Sequence, residues 1–281
     1  MDPPVIPGVT LADGARMPAL GLGTWHMGES ASRRRHEVAA LRAGLARGFT
    51  LIDTAEMYGD GGAEEVVAEA LDGARDRCFV VSKVLPQHAS ARGVVAACER
   101  SLARLRIDRL DLYLLHWRGH IPLAETIGAF EGLRREGRIL RWGVSNFDTG
   151  DVEELLALPD GRHCAANQVL YHLGERGIEW ALADLCGRHG IAIIAYSPFD
   201  EGRLLAHRAL ASIAARIHAT PAQVALAWLI ARNVIAIPKA AKVRHVDENA
   251  AAAALQLSDA TLAEIDDAFP PPSHATPLAV I

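Results

Sequence analysis

Among the 281 residues, four have the side-chain types and spacing to move a proton within a charged setting: Asp53, Tyr58, Lys83 and His116. The apolar run Thr50-Leu51-Ile52 stops at the carboxylate of Asp53, and Tyr58 follows five residues later. Cys78-Phe79-Val80-Val81-Ser82 stops at the amine of Lys83, and Leu110-Asp111-Leu112-Tyr113-Leu114-Leu115 stops at the imidazole of His116. Runs of this length and composition are strand-like. If they are neighbours in a parallel sheet, their carboxyl ends share one rim, where α/β folds bind ligands and do chemistry. Lysine usage sharpens the point: of 29 basic residues only Lys83, Lys239 and Lys242 are lysines, and two of these three close apolar runs. Arginine has taken nearly all the surface positions, so a strand-end lysine here reads as functional.

The elements that must position these residues alternate along the whole chain. Strands are expected at residues 19–24, 50–53, 78–83, 110–116, 140–145, 165–169, 192–197 and 234–238. After the first strand, Val38, Leu41 and Leu45 recur at helical spacing, with Ser32 as the expected cap and Gly48 as the stop. The other helices are expected at 63–71, 91–105, 123–136, 151–158, 179–189, 207–231 and 246–253, the seventh divided at Thr220-Pro221 by a cap and an N1 proline. Eight strand-helix units with right-handed crossovers predict a (β/α)8 barrel formed as one domain over residues 1–281. Residues 5–18, around the turn dipeptide Asp13-Gly14, predict an N-terminal β-hairpin, and residues 260–269, capped by Ser258, an extra C-terminal helix. A short tail opens on Pro270-Pro271-Pro272, which cannot begin as helix.

Composition narrows the partners. Half the residues are hydrophobic, enough for a large continuous core, and the net charge of −5 argues against nucleic acid or an anionic membrane surface. Cys78, Cys98, Cys164 and Cys186 are widely spaced, without metal-ligand spacing to histidine, and read as reduced structural thiols. The segment Met1-Asp2-Pro3-Pro4-Val5 lacks the basic-then-apolar pattern of a leader, and no apolar run is long enough to span a membrane. The expectation is a monomeric cytoplasmic protein with a small-molecule partner and no bound metal.

Gly21-Leu22-Gly23-Thr24-Trp25, Asp53-Thr54-Ala55 with Tyr58, Lys83, Leu114-Leu115-His116, Gly143-Val144-Ser145-Asn146, Asn167-Gln168, Ala195-Tyr196-Ser197-Pro198, Ile237-Pro238-Lys239 and Glu248-Asn249 occur in order, most at expected strand ends. In this the chain resembles the aldo-keto reductase family over nearly its whole length. The resemblance implies a hairpin that plugs the bottom of the barrel and a tail that closes over substrate. It implies reduction of an aldehyde, or a ketone, by hydride from NADPH, with Tyr58 as general acid. Lys83 would ease release of the phenolic proton, Asp53 would keep Lys83 charged, and His116 would orient the carbonyl.

No G-x-G-x-x-G follows a strand, so the resemblance puts the cofactor on the barrel rim instead. Ser145, Asn146 and Gln168 would bind the nicotinamide carboxamide, and Tyr196 would stack on the ring. Residues 197–204, with Ser197, Pro198, Phe199, Gly202 and Leu204, would cover the pyrophosphate. Gly23, Thr24, Trp25, Asp53, Ile237, Pro238, Lys239, Ala240, Lys242, His245, Glu248 and Asn249 complete the cofactor set. Two departures stand out. Asp200 and Glu201 bring negative charge to the pyrophosphate loop, and Ala240 and His245 stand where the family carries a hydroxyl residue and an arginine for the 2′-phosphate, which leaves NADH possible beside NADPH.

Trp25, Met27, Met57, His116 and Trp117 flank the catalytic positions and are expected to line a narrow apolar substrate pocket whose mouth the short tail covers little. Such a pocket accepts small or flat aldehydes, including dicarbonyls such as methylglyoxal, and turns over bulky steroid ketones poorly. Two other classes compete. A Schiff-base lyase or aldolase would use Lys83 as nucleophile, against which the adjacent Asp53 argues, and a non-catalytic module would bind nicotinamide nucleotide as a sensor.

Overall fold

The computed structural model describes residues 5–281; Met1 to Pro4, part of the segment searched for a leader, lie outside the described residues. The chain opens with the hairpin β1 (Gly8–Thr10) and β2 (Arg16–Pro18), then runs β3 (Gly21–Gly23), α1 (Ala31–Ala46), β4 (Leu51–Asp53), α2 (Gly62–Ala70), β5 (Phe79–Val84), α3 (Ala91–Leu105) and β6 (Leu112–Leu115). It continues with α4 (Leu123–Arg135), β7 (Trp142–Ser145), α5 (Thr149–Ala157), β8 (Cys164–Leu170), α6 (Leu182–Arg188) and β9 (Ala192–Tyr196). The last elements are α7 (Arg208–Arg216), α8 (Pro221–Ala231), β10 (Ile235–Ala236), α9 (Val243–Ala251) and α10 (Asp259–Ala268). Strands β3 to β10 form an eight-stranded parallel sheet in sequential order, and bridges Leu20↔Ala236 and Gly23↔Lys239 join its edges into the expected barrel.

Side-chain alternation along each strand explains where the chemistry lies. Leu51, Val81, Leu112, Ala166 and Ile194 fill the lumen in one cluster with Val9, Leu11 and Met17 of the hairpin. Two residues further along the same strands stand Asp53, Lys83, Leu114, Gln168 and Tyr196, and His116 lies two beyond Leu114. A strand repeats its facing every second residue, so the apolar plug layer is followed toward the carboxyl ends by a polar rim. The hairpin closes the opposite end, where Arg141, just before β7, donates to Asp13 at 2.6 Å.

Several local details differ from the sequence reading. Ser30, not Ser32, precedes α1, and its hydroxyl meets that of Ser32 at 2.8 Å instead of capping the helix. The helix expected over 179–189 is split, because Ala181 (φ −151°) separates a 3-10 turn, Gly177–Trp180, from α6. Helix α9 starts at Val243, a turn before the expected 246. The caps at Thr220 and Ser258 are as expected, each accepting the N3 amide. No single helix among the described residues is long and apolar enough to cross a membrane.

Two glycines let the loops behind Tyr58 touch backbone to backbone. A Cβ on Gly28 (φ +76°) would stand 2.1 Å from the Gly62 carbonyl carbon. Gly28→Ala should therefore cost about 2 kcal/mol or more, from left-handed strain plus overlap. Gly73→Ala, at similar φ (+70°) but with nothing within 4 Å, should lose clearly less in the same thermal melts; equal losses would deny the close approach.

Candidate active site

Lys83 ends its inward-facing row on β5 and is fully buried. Its ammonium donates to Asp53 Oδ1 at 2.6 Å, the Thr54 carbonyl at 2.9 Å and the Tyr58 hydroxyl at 3.0 Å. Burial works against the charge, but Asp53 and Tyr58 outweigh it and the Lys83 pKa is raised. All three N–H bonds are engaged and the nitrogen keeps its proton, which removes the lone pair a Schiff-base nucleophile needs. The lyase reading fails on this geometry.

Tyr58 follows β4, in a loop that returns its hydroxyl to Lys83. Burial drives its pKa up; Lys83 pulls it down and Asp53 adds to the rise, with a net increase. The sequence reading had the ammonium setting the direction, whereas desolvation wins. His116 lies against Tyr58 with ring centroids 5.7 Å apart. Burial and then the Lys83 charge press its pKa down to about 2, so the imidazole is neutral, and its buried Nδ1 has no hydrogen-bond partner.

Across the barrel the remaining polar residues interlock. Gln168 Nε2 donates to Asp53 Oδ2 at 2.7 Å, Ser145 Oγ donates to the Gln168 carbonyl at 2.8 Å, and the Tyr196 hydroxyl donates to Asn146 Oδ1 at 2.9 Å. Asn146 itself sits at φ +57°, which turns the chain sharply after β7. These residues border a cavity of about 540 Å³ on the rim. Tyr58 and His116 form one wall with Trp25, Met57 and Trp117, and Trp25 packs edge-on to Tyr58 at 4.8 Å. From there the cavity runs past Gly23, Thr24, Asp53, Ser145, Asn146, Gln168 and Tyr196 to Ser197, Pro198, Phe199 and Gly202, and on to Ile237, Lys239, His245, Glu248 and Asn249.

Four expected cofactor residues, Leu204, Pro238, Ala240 and Lys242, lie outside this lining, as does Met27, expected in the substrate pocket but fully buried in the hydrophobic core. Four lining residues were not singled out from sequence, His26, Leu205, Ala222 and Ile281, and Glu201, named there only for its charge, lines the cavity as well. His26 directly follows Trp25, which is itself a signal, but nothing local in the sequence points to Ile281. The tail covers more than expected: about a dozen extended residues span roughly 40 Å, sufficient to bring Ile281 back to the cavity beside Tyr196. Asp200 and Glu201 are both paired with Arg203, which lowers the Asp200 pKa and answers the repulsion expected of this loop. Glu131, Asp160 and His163 form a cluster with metal-ligand spacing, yet Glu131 already accepts from Trp142 Nε1 and Arg134.

An eight-stranded parallel barrel with a paired lysine, a buried tyrosine and an elongated polar cleft on its carboxyl rim defines a class of nucleotide-dependent oxidoreductases. The chain belongs to the aldo/keto reductase family, whose model matches residues 19–269. It is 52% identical over 271 residues to methylglyoxal reductase YeaE of Escherichia coli, covering 94% of this chain and 95% of that protein. It is 35% identical over 258 residues to glyoxal reductase of Bacillus subtilis, covering 92% and 91%. A crystal structure of an aldo/keto reductase from Klebsiella pneumoniae in complex with NADP and acetate superposes with a TM-score of 0.95 at 52% identity, covering 99% of this chain and 100% of that one.

The depressed His116 pKa gives a pH dependence of stability. Below the unfolded histidine value near 6.5 the unfolded chain takes up a proton that the native state refuses down to about pH 2, so stability is present above 6.5 and lost on acidification. From pH 6.5 to 5 the loss is about 2 kcal/mol from this residue. Urea unfolding of the wild type and His116→Gln at both pH values should show the variant less acid-sensitive by that amount; equal sensitivities would mean His116 titrates normally.

Proposed function

We propose that this enzyme reduces small aldehydes, with dicarbonyls such as methylglyoxal among them, to alcohols using NADPH. The observation that carries the reading is the Tyr58 hydroxyl, 3.0 Å from a buried ammonium, facing the same cavity as the neutral ring of His116. The donor set along the cleft suits a dinucleotide: an interlocked amide and hydroxyl group at one end and Lys239 with His245 at the other. Ser145, Asn146 and Gln168 would hold the carboxamide, Tyr196 the ring face, the loop from Ser197 to Gly202 the pyrophosphate, and Lys239 and His245 the 2′-phosphate. Bound there, NADPH supplies a hydride to the carbonyl carbon.

The protein's own residues handle the oxygen. Tyr58 donates a hydrogen bond to the carbonyl, and neutral His116 can donate a second without competing for the phenolic proton. As the carbonyl becomes an alkoxide, a far stronger base than a phenolate, the Tyr58 O–H bond breaks and the alcohol O–H bond forms. The phenolate is left beside the Lys83 ammonium, which stabilises it. A raised Tyr58 pKa is no obstacle: it keeps the phenol protonated at every working pH, so the donor is always loaded. Trp25, Met57 and Trp117 restrict the substrate end to small or flat groups, and Ile281 narrows it further. The four cysteines are buried and free, which suits a reducing compartment, and we take the enzyme to be a cytoplasmic monomer with one barrel domain over residues 1–281.

Turnover of methylglyoxal with NADPH by the purified protein tests the reading. Tyr58→Phe keeps the ring packing on Trp25 and removes only the proton, so it should bind NADPH normally while reduction drops about a hundredfold or more; near wild-type turnover would exclude Tyr58 as the acid. Lys239→Ala should weaken NADPH binding about ten- to a hundredfold and NADH much less, because only NADPH carries the phosphate that a charge-assisted contact can grip. Fluorescence titration with both nucleotides decides this, and equal weakening would move Lys239 away from the phosphate.

A further inference from the structure

The segment from Thr54 to Gly61 that carries Tyr58 leaves the barrel and must present the phenol to Lys83 without a strand to hold it. Its backbone is tied to β5 by two amides, Thr54 donating to the Val81 carbonyl at 2.9 Å and Glu56 to the Lys83 carbonyl at 3.4 Å, while the Tyr58 carbonyl accepts from the Ala63 amide of α2 at 3.1 Å. Glu56 adds a second attachment through its side chain. The carboxylate is buried, 7% exposed, and Oε1 accepts from the Leu85 amide at 2.9 Å, two residues beyond Lys83. The same oxygen meets His88 Nδ1 at 2.9 Å, and Oε2 meets Arg100 of α3 at 3.4 Å.

We propose that Glu56 is a positioning residue for the proton donor, a strap that binds the Tyr58 loop to the Lys83 carbonyl and the Leu85 amide and so sets the distance between phenol and ammonium. This inference rests on Tyr58 acting as the acid. The charge serves the strap in two ways. An ionised carboxylate accepts from several donors at once, and its bonds to an amide and a guanidinium are stronger than those of a neutral acceptor. Other charged groups nearby are already committed: Glu64 of α2 takes Ser82 and Arg104, and Lys83 takes Asp53. The Tyr113 hydroxyl of β6, pushed up chiefly by burial and further by Cys98 and Glu56, stays protonated. Glu56 is thus the carboxylate carried by the Tyr58 loop itself that reaches the segment following Lys83. His88 and Arg100 approach it from the surface, with side chains 40% and 47% exposed, and steady the carboxylate from outside.

The test compares wild type, Glu56→Ala and Glu56→Gln with NADPH and methylglyoxal, alongside ultraviolet difference titration of the phenol against Tyr58→Phe. Glu56→Ala should lower kcat about ten- to thirtyfold and leave NADPH affinity within about twofold, since the loss falls on proton delivery rather than on binding. Glu56→Gln keeps an oxygen for the Leu85 amide and should recover about a third or more of the wild-type kcat. The ionisation midpoint of Tyr58 should move in Glu56→Ala, because phenol and ammonium no longer keep their spacing. A kcat that falls only with the folded fraction, with the phenol midpoint unmoved, would reduce Glu56 to a structural ion and overturn the proposal. The titration needs no turnover: if the wild type reduces no carbonyl, the enzymatic reading fails by itself while the midpoint still reports on the strap.

Discussion

A fully buried ammonium is the constraint from which the rest of the rim follows. Removing Lys83 from water costs several kcal/mol unless its charge and all three donors are met. Asp53, the Thr54 carbonyl and Tyr58 meet them, which draws the ends of β4 and β5 and the loop after β4 to one point. The second oxygen of Asp53 takes Gln168 from β8, so the same charge organises the opposite side of the barrel. The Tyr58 phenol and the cleft on the rim are parts of one network centred on an ion that the protein cannot leave unpaired.

Burial sets the protonation states within that network. Burial keeps both His116 neutral and Tyr58 protonated, because each would have to build charge where solvent cannot help; the Lys83 charge reinforces this for the imidazole and opposes it for the phenol, where burial prevails. Of two titratable rings in van der Waals range, only the phenol has a proton to deliver at neutral pH, while the imidazole is confined to hydrogen bonding. Cys98 and Cys186, whose pKa values burial pushes up to about 12, are inert for the same reason.

The loops show how the rigid part is completed. Ser197, Asp200, Glu201 and Gly202 all have positive φ, so the loop facing the expected pyrophosphate position is wound tightly against its preference. Arg203 holds both acidic side chains of that turn, so their charge is turned toward a partner instead of being left free in the cleft.

The barrel and the core of its site were legible in the chain because the determining signals are local. Apolar runs of strand length ending at Asp53, Lys83 and His116, alternating with helical spacing, require no knowledge of distant contacts, and a side-chain period of two fixes that residues two apart share a face. Local signals also fixed the Thr220 and Ser258 caps. What depended on distance was not legible. The start of α1 at Ser30, the break at Ala181 and the return of Ile281 to the rim are set by packing between segments far apart in sequence. The direction of the Tyr58 shift was likewise decided by tertiary structure, since the sequence names Lys83 as a neighbour but cannot say how completely both are removed from water. Residue types and order determined which groups would meet; the folded chain alone determined how dry the meeting place is, and through that which of them holds the proton.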